Sequence, residues 1–102
     1  MIMTMAIFEE SAVELDEGVR HVREEVVPAL SGAEGMEAAY WLADRQGGKR
    51  LSVMVWRDVD TMAAAMPAVV QRIRETRETA GRPQQPGPSR SERYEVFASL
   101  PR

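Results

Sequence analysis

The chain of 102 residues has no cysteine, no asparagine and a single histidine, His21. Without cysteine there are no disulfides, no thiolate metal sites and no cysteine nucleophile. One histidine excludes a histidine-rich metal site within one chain, and any Ser-His-Asp triad would have to use His21. No apolar run approaches the ~18–20 residues needed to span a bilayer. The N-terminus shows no basic region followed by an apolar stretch, so no secretory signal is visible. These absences lead us to expect a soluble, cytoplasmic protein with no membrane partner and no bound metal. Basic charge is also scarce: 13 Lys and Arg against 16 Asp and Glu give a net charge of −3, which argues against a nucleic-acid partner. A content of 44% hydrophobic and 28% charged residues is that of an ordinary folded chain. We expect one domain over residues 1–102, large enough to hold a core without staples.

The residues that are present punctuate the chain clearly. Ile2 to Phe8 is a short apolar run that stops at Glu9-Glu10, as a buried strand does. Ser11 and Glu14 have capping-box spacing, and Asp16 is a rival cap. Leu15, Val19, Val22, Val26 and Leu30 then fall within about 80° on a helical wheel. Pro28, Gly32 and Gly35 place the stop near Leu30. Met36–Ala43 and Leu51–Trp56 flank Gly47-Gly48 and read as a hairpin. A second helix follows a cap at Asp58 or Asp60, with a stripe of Met62, Met66, Val69, Val70, Ile73 and Ala80. Pro67 is expected to kink that helix or to begin its second segment. Gly81 ends it. Residues 82–92, with three prolines, read as a flexible loop, and Tyr94–Ala98 as a last strand.

The order is β-α-β-β-α-β, that of an α+β, ferredoxin-like subunit. It implies a four-stranded antiparallel sheet with two helices on one face. Two helices cover one face only, yet the first three strands are apolar at both parities. A second copy of the chain is the simplest cover, so a homodimer is expected.

The segment Gly35 to Arg45 (Gly-Met-Glu-Ala-Ala-Tyr-Trp-Leu-Ala-Asp-Arg), Leu51 to Asp58 (Leu-Ser-Val-Met-Val-Trp-Arg-Asp) and Tyr94-Glu95-Val96 extend the likeness. With this element order, the chain resembles the dimeric α+β-barrel superfamily, above all its antibiotic-biosynthesis-monooxygenase-like branch. The resemblance implies two sheets packed back to back across a dimer, with a pocket between sheet and helices in each subunit. Members include cofactor-independent monooxygenases acting on polycyclic phenols, haem-degrading monooxygenases, small isomerases and proteins of unknown activity. The haem-degrading branch needs a strand Asn, and a Trp and a His along the second helix. Here there is no Asn, and the helix positions fall near Ala65 or Met66 and near Glu75 or Thr76, which argues against haem degradation. The remaining expectation is a cofactor-independent, monooxygenase-like enzyme acting on an aromatic or polyketide-like substrate. The alternative is a non-catalytic homodimer that binds a small aromatic or apolar ligand, or serves as an accessory. No cofactor is expected in either case.

Four residues are candidates for ligand contact. A two-residue Gly47-Gly48 turn would set Trp41 opposite Met54 and Ala39 opposite Trp56, with Ala43 opposite Ser52. Trp41 and Trp56 beside small residues frame space for a flat ligand, although the same grouping serves ordinary packing. Arg77 lies about 60° from Met62 and about 40° from Ile73 on the wheel. A charge there needs a partner; it can bind an anion or snorkel to water. Tyr40 offers a hydrogen bond, or is a core or interface residue. His21 lies about 130° from the centre of the first apolar stripe and is expected at the surface among Glu17, Glu24 and Glu25. No catalytic acid–base pair is apparent.

Overall fold

The opening apolar run becomes an interior strand. β1 (Ile2–Glu9) pairs antiparallel with β3 (Lys49–Trp56) on one side and with β4 (Arg90–Glu95) on the other. β2 (Met36–Asp44) pairs with β3 at the far edge, giving the order β2-β3-β1-β4. The computed structural model, in which residues 1–101 are described, is an α+β, ferredoxin-like βαββαβ subunit.

Ser11 caps α1 (Ala12–His21) through the reciprocal pair expected from its spacing. The Glu14 N–H donates to Ser11 Oγ at 3.3 Å, and the Ser11 N–H donates to Glu14 Oε1 at 2.9 Å. The helix then passes into a π-helical turn, Val22–Val26, where the Val27 N–H donates to the Val22 carbonyl five residues back. Pro28 has no N–H to extend that pattern. It stands at the start of the closing turn, α2 (Val27–Leu30), where a missing donor is tolerated. α3 (Val59–Thr79) begins at Asp58, whose carboxylate accepts from the Thr61 N–H at 2.7 Å. α3 is one element through Pro67, so Pro67 begins no second segment. Pro67 and Ala63, whose carbonyl would otherwise accept from residue 67, are both exposed, so the freed oxygen is open to solvent.

Two boundaries differ from the sequence reading. Asp44 pairs with Lys49, so the β2–β3 connection has four residues, Arg45 to Gly48, rather than two. Asp44 Oδ1 accepts from the Gly47 N–H at 2.9 Å, and Gly48 takes a φ of 65°, a conformation natural to glycine. Trp41 therefore faces Ser52, and Ala39 faces Met54. The displacement is two residues, so every side chain keeps its expected face. The last strand lies at Arg90–Glu95, not at Tyr94–Ala98, which shortens the preceding loop to residues 82–89. An edge strand pairs on one side and is commonly charged; the apolar tail beyond it leaves Phe97 91% exposed.

The core lies where the helices meet the sheet. Trp56 is fully buried and clusters with Ala29, Leu30 and Val69. On the other side of the sheet, Met3, Met5, Leu51 and Val55 are only partly covered, while Tyr40 and Leu42 are 63% and 48% exposed. That apolar face carries no helix.

Candidate functional site

A cavity of about 360 Å³ lies between the sheet and the helices. Phe8, Trp41 and Met54 form its floor, the π-helical turn contributes Val22 and Val26, and α3 contributes Ile73. Loop residues 84–88 form the roof. The loop is anchored where the Gln84 amide donates to the Arg74 carbonyl at 3.3 Å and the Ser89 N–H to the Ile7 carbonyl at 2.8 Å.

One wall is charged, and it is built from both helices. Arg77 is buried near the end of α3. Its Nε donates to the Pro83 carbonyl at 2.6 Å, and its Nη1 to Glu25 Oε1 at 2.7 Å. Nη1 also lies 3.2 Å from His21 Nδ1. Arg82 Nη1 reaches the same Glu25 oxygen at 3.1 Å. One carboxylate thus serves two guanidiniums, and Arg82 also lies 3.8 Å from Glu24 Oε2. Glu25 Oε2 is buried with no hydrogen-bond partner among the described residues. Burial holds His21 below the ordinary imidazole value. The Glu25 carboxylate opposes that shift, while Arg77 and Arg50 add to it. At neutral pH the ring is therefore uncharged.

Arg50 completes the floor. Its guanidinium binds Glu10 at two points, 2.9 and 3.3 Å, and lies 4.2 Å from the centre of the Phe8 ring. Gly18 of α1 faces it without a side chain; a Cβ there would overlap the guanidinium.

The structure brings two of the four anticipated ligand residues to this cavity, Trp41 and Arg77. Trp56 departs from that expectation. It shares the Trp41 face but lies in the core, its indole N–H buried with no partner among the described residues, beside a separate recess under Met62 and Met66. Tyr40 departs further, because strand alternation turns it to the opposite, helix-free face. His21 corrects the sequence reading in the other direction: its side chain is 11% exposed and lines the cavity. The wheel was centred on apolar residues alone. The buried set of this helix includes Gly18 and Glu25, which moves the inward face to within about 80° of His21. Glu25 and Arg50 were missed for the same reason: two charges of opposite sign far apart in sequence give no local sign that they will be buried in pairs.

Among the described residues, no cluster of three or more His, Cys, Asp or Glu side chains is arranged to hold a metal ion. No helix there is long and apolar enough to cross a membrane.

No family model matches the chain. It is 36% identical over 55 residues to the uncharacterized protein Rv2557 of Mycobacterium tuberculosis, a match covering 54% of this chain and 25% of the relative. The match therefore spans about a quarter of the relative's length. Solved structures resemble it along nearly the whole chain. A monooxygenase from the gene ActVA-Orf6 of Streptomyces coelicolor, in complex with nanaomycin D, superposes with a TM-score of 0.69 at 17% identity, covering 99% of this chain and 92% of that one. SnoaB, a cofactor-independent oxygenase of Streptomyces nogalater, gives 0.63 at 16% identity, with 99% and 97% coverage. The fold is that of the antibiotic-biosynthesis-monooxygenase-like proteins.

Proposed function

We propose that the protein binds a flat aromatic or polyketide-like small molecule in the cavity above Trp41 and oxidises it without a cofactor. The observation that carries this reading is the cavity itself, with Phe8, Trp41 and Met54 on a floor completed by Arg50 and with charge along one wall. Such a shape buries a ring system and leaves one polar edge to be oriented. Trp41 presents an aromatic surface for stacking, and Met54 adds polarisable contact at the ring edge. In this chemistry the substrate, as a stabilised carbanion or phenolate, supplies the electrons to dioxygen. The protein orients the substrate, excludes water and stabilises negative charge. The nanaomycin D complex of a protein with this fold supports the choice of ligand class.

We further propose that a second copy of the chain covers the helix-free face around Tyr40, Leu42 and Leu51. A contiguous apolar sheet face left in water favours such pairing.

Oxygen uptake with a panel of anthrones and hydroquinones tests the catalytic reading. Consumption above the buffer rate, reduced in Trp41→Ala, is the expected result. Retained binding with oxygen uptake at the buffer rate would replace the oxygenase with a non-catalytic ligand-binding protein. Losing one aromatic stacking contact is expected to weaken binding about tenfold, from roughly 1–1.5 kcal/mol of interaction, read by fluorescence or calorimetric titration.

A further inference from the structure

The recess under Met62 and Met66 has a volume of about 490 Å³, and it meets the cavity above Trp41 at two shared residues, Ser52 and Met54. Strand register accounts for the meeting point. Trp41 faces Ser52, Ser52 faces Ala6 and Ala6 faces Ser91, so one row crosses all four strands. Partners in a row point to the same side of the sheet, here the helix side. After the Trp41 indole, the row carries only a hydroxymethyl, a methyl and a second hydroxymethyl group. These small side chains leave a trench that runs from the cavity floor toward β4 and ends where Ser91 and Arg93 are exposed. Ser52 is its polar point. The residue is 8% exposed and lines both spaces, and its hydroxyl has no hydrogen-bond partner among the described residues. A hydroxyl so buried is costly unless an occupant of the trench supplies the partner.

We propose that the cavity and the trench form one binding site, which takes a flat ring on Trp41 and a linear apolar side chain of that ring along Ser52 and Ala6. This deepens the reading of the cavity as an aromatic-ligand site and rests on it. Met54 stands at the junction, where its unbranched side chain changes rotamer to let the ligand's chain pass. Met62 and Met66 cover the chain from α3. An oxygen of the ligand beside the point of attachment accepts from the Ser52 hydroxyl. Neighbouring strands are ~4.8 Å apart, so Ser52 to Ser91 spans roughly 10 Å. An extended chain advances roughly 1.2 Å per bond, so about eight carbons reach from the junction to the β4 edge. The specificity that follows is for rings bearing a linear chain of up to that length, over the same rings without one.

A series of 1,4-naphthoquinones with linear 2-alkyl chains, from methyl to decyl, tests it on the full-length protein. The quinone ring is already oxidised, so binding is read apart from turnover, by calorimetry or by quenching of tryptophan fluorescence. Its carbonyl beside the chain offers Ser52 an acceptor. Each added methylene is expected to tighten Kd about threefold, as for a methylene that leaves water. The gain is expected to level off near eight carbons, where the chain reaches solvent. Ala6→Leu puts a branched side chain in the middle of the row, at a residue that lines the recess and not the ring cavity. It is expected to keep the binding of the 2-methyl compound and to erase the gain from longer chains. Ser91→Phe caps the far end and is expected to stop the gain several carbons sooner. Ser91 is exposed on an edge strand, so this variant keeps the test open if Ala6→Leu folds poorly. A wild-type affinity that does not change with chain length overturns the trench while the cavity reading stands, and so does a gain that survives both substitutions. Binding by no member of the series removes the cavity reading, and the trench with it.

Discussion

At the scale of single residues, Glu25 is the side chain on which the charged wall depends. Its Oε1 gathers Arg77 and Arg82, and its side chain is 3% exposed. Removing one member of a buried pair leaves an uncompensated charge, which costs about 3–5 kcal/mol. Glu25→Gln is expected to lose a substantial part of that in urea unfolding. Glu24→Gln next to it is the control. Glu24 is half exposed with contacts of 3.8 Å, so less than about 1 kcal/mol is expected. His21 makes a prediction about pH. Its native value lies below the ordinary 6.5, so the unfolded chain binds the extra proton first as pH falls. Its contribution to stability is therefore complete above 6.5 and declines from there down to the lowered native value. Unfolding curves collected from pH 7.5 downward are expected to show this slope in the wild type and a flatter one in His21→Gln. None of this was legible locally. A wheel drawn on apolar residues sees Leu15 and Val22 but not the inward Glu25, whose partner is 52 positions away.

Elements were more legible than the contacts between them. Ser11 and Glu14 announce the start of α1, and the structure contains both hydrogen bonds of the box. Ser11→Ala is expected to lower unfolding stability by about 1 kcal/mol, with Ser11→Gly restoring most of the loss. That comparison separates capping from packing, since Ser11 is exposed. The hairpin was legible as two apolar runs around Gly47-Gly48, but the glycines did not reveal that Arg45 and Gln46 also belong to the turn. The error left Trp41, Ser52 and Met54 on one face because it was an even number of residues. β4 was misplaced because apolarity points to interior strands. This strand is an edge, held by backbone pairing with Ile2–Ile7 while its own side chains stay polar.

For the molecule as a whole, the β-α-β-β-α-β order was readable from punctuation, whereas in the sheet only β2 and β3 are neighbours joined directly in the chain. The site was half readable. Apolar stripes and strand parity point to Trp41 and Arg77, whereas the cavity roof comes from a proline-rich loop whose path periodicity does not describe. The helix-free face carries the prediction about assembly. Leu42→Glu with Tyr40→Asp places two charges among Leu51, Val53 and Val55 on that face. Native mass spectrometry is expected to show a dimer for the wild type and a monomer for this double variant, with the helical circular dichroism retained. A wild-type monomer at micromolar concentration would leave the apolar face without its proposed cover.

The π-helical turn at Val22–Val26 has a consequence for how this chain tolerates length changes. A turn closed over five residues holds one residue more than an α-helical turn. Loss of a single codon there, such as that for exposed Arg23, would let the helix run on without interruption. The turns on either side would then keep their phase, so His21 would stay beside Arg77 while the chain remained helical. A deletion of one residue, which in a regular helix turns everything upstream by about 100°, is here expected to keep both the cavity and the fold.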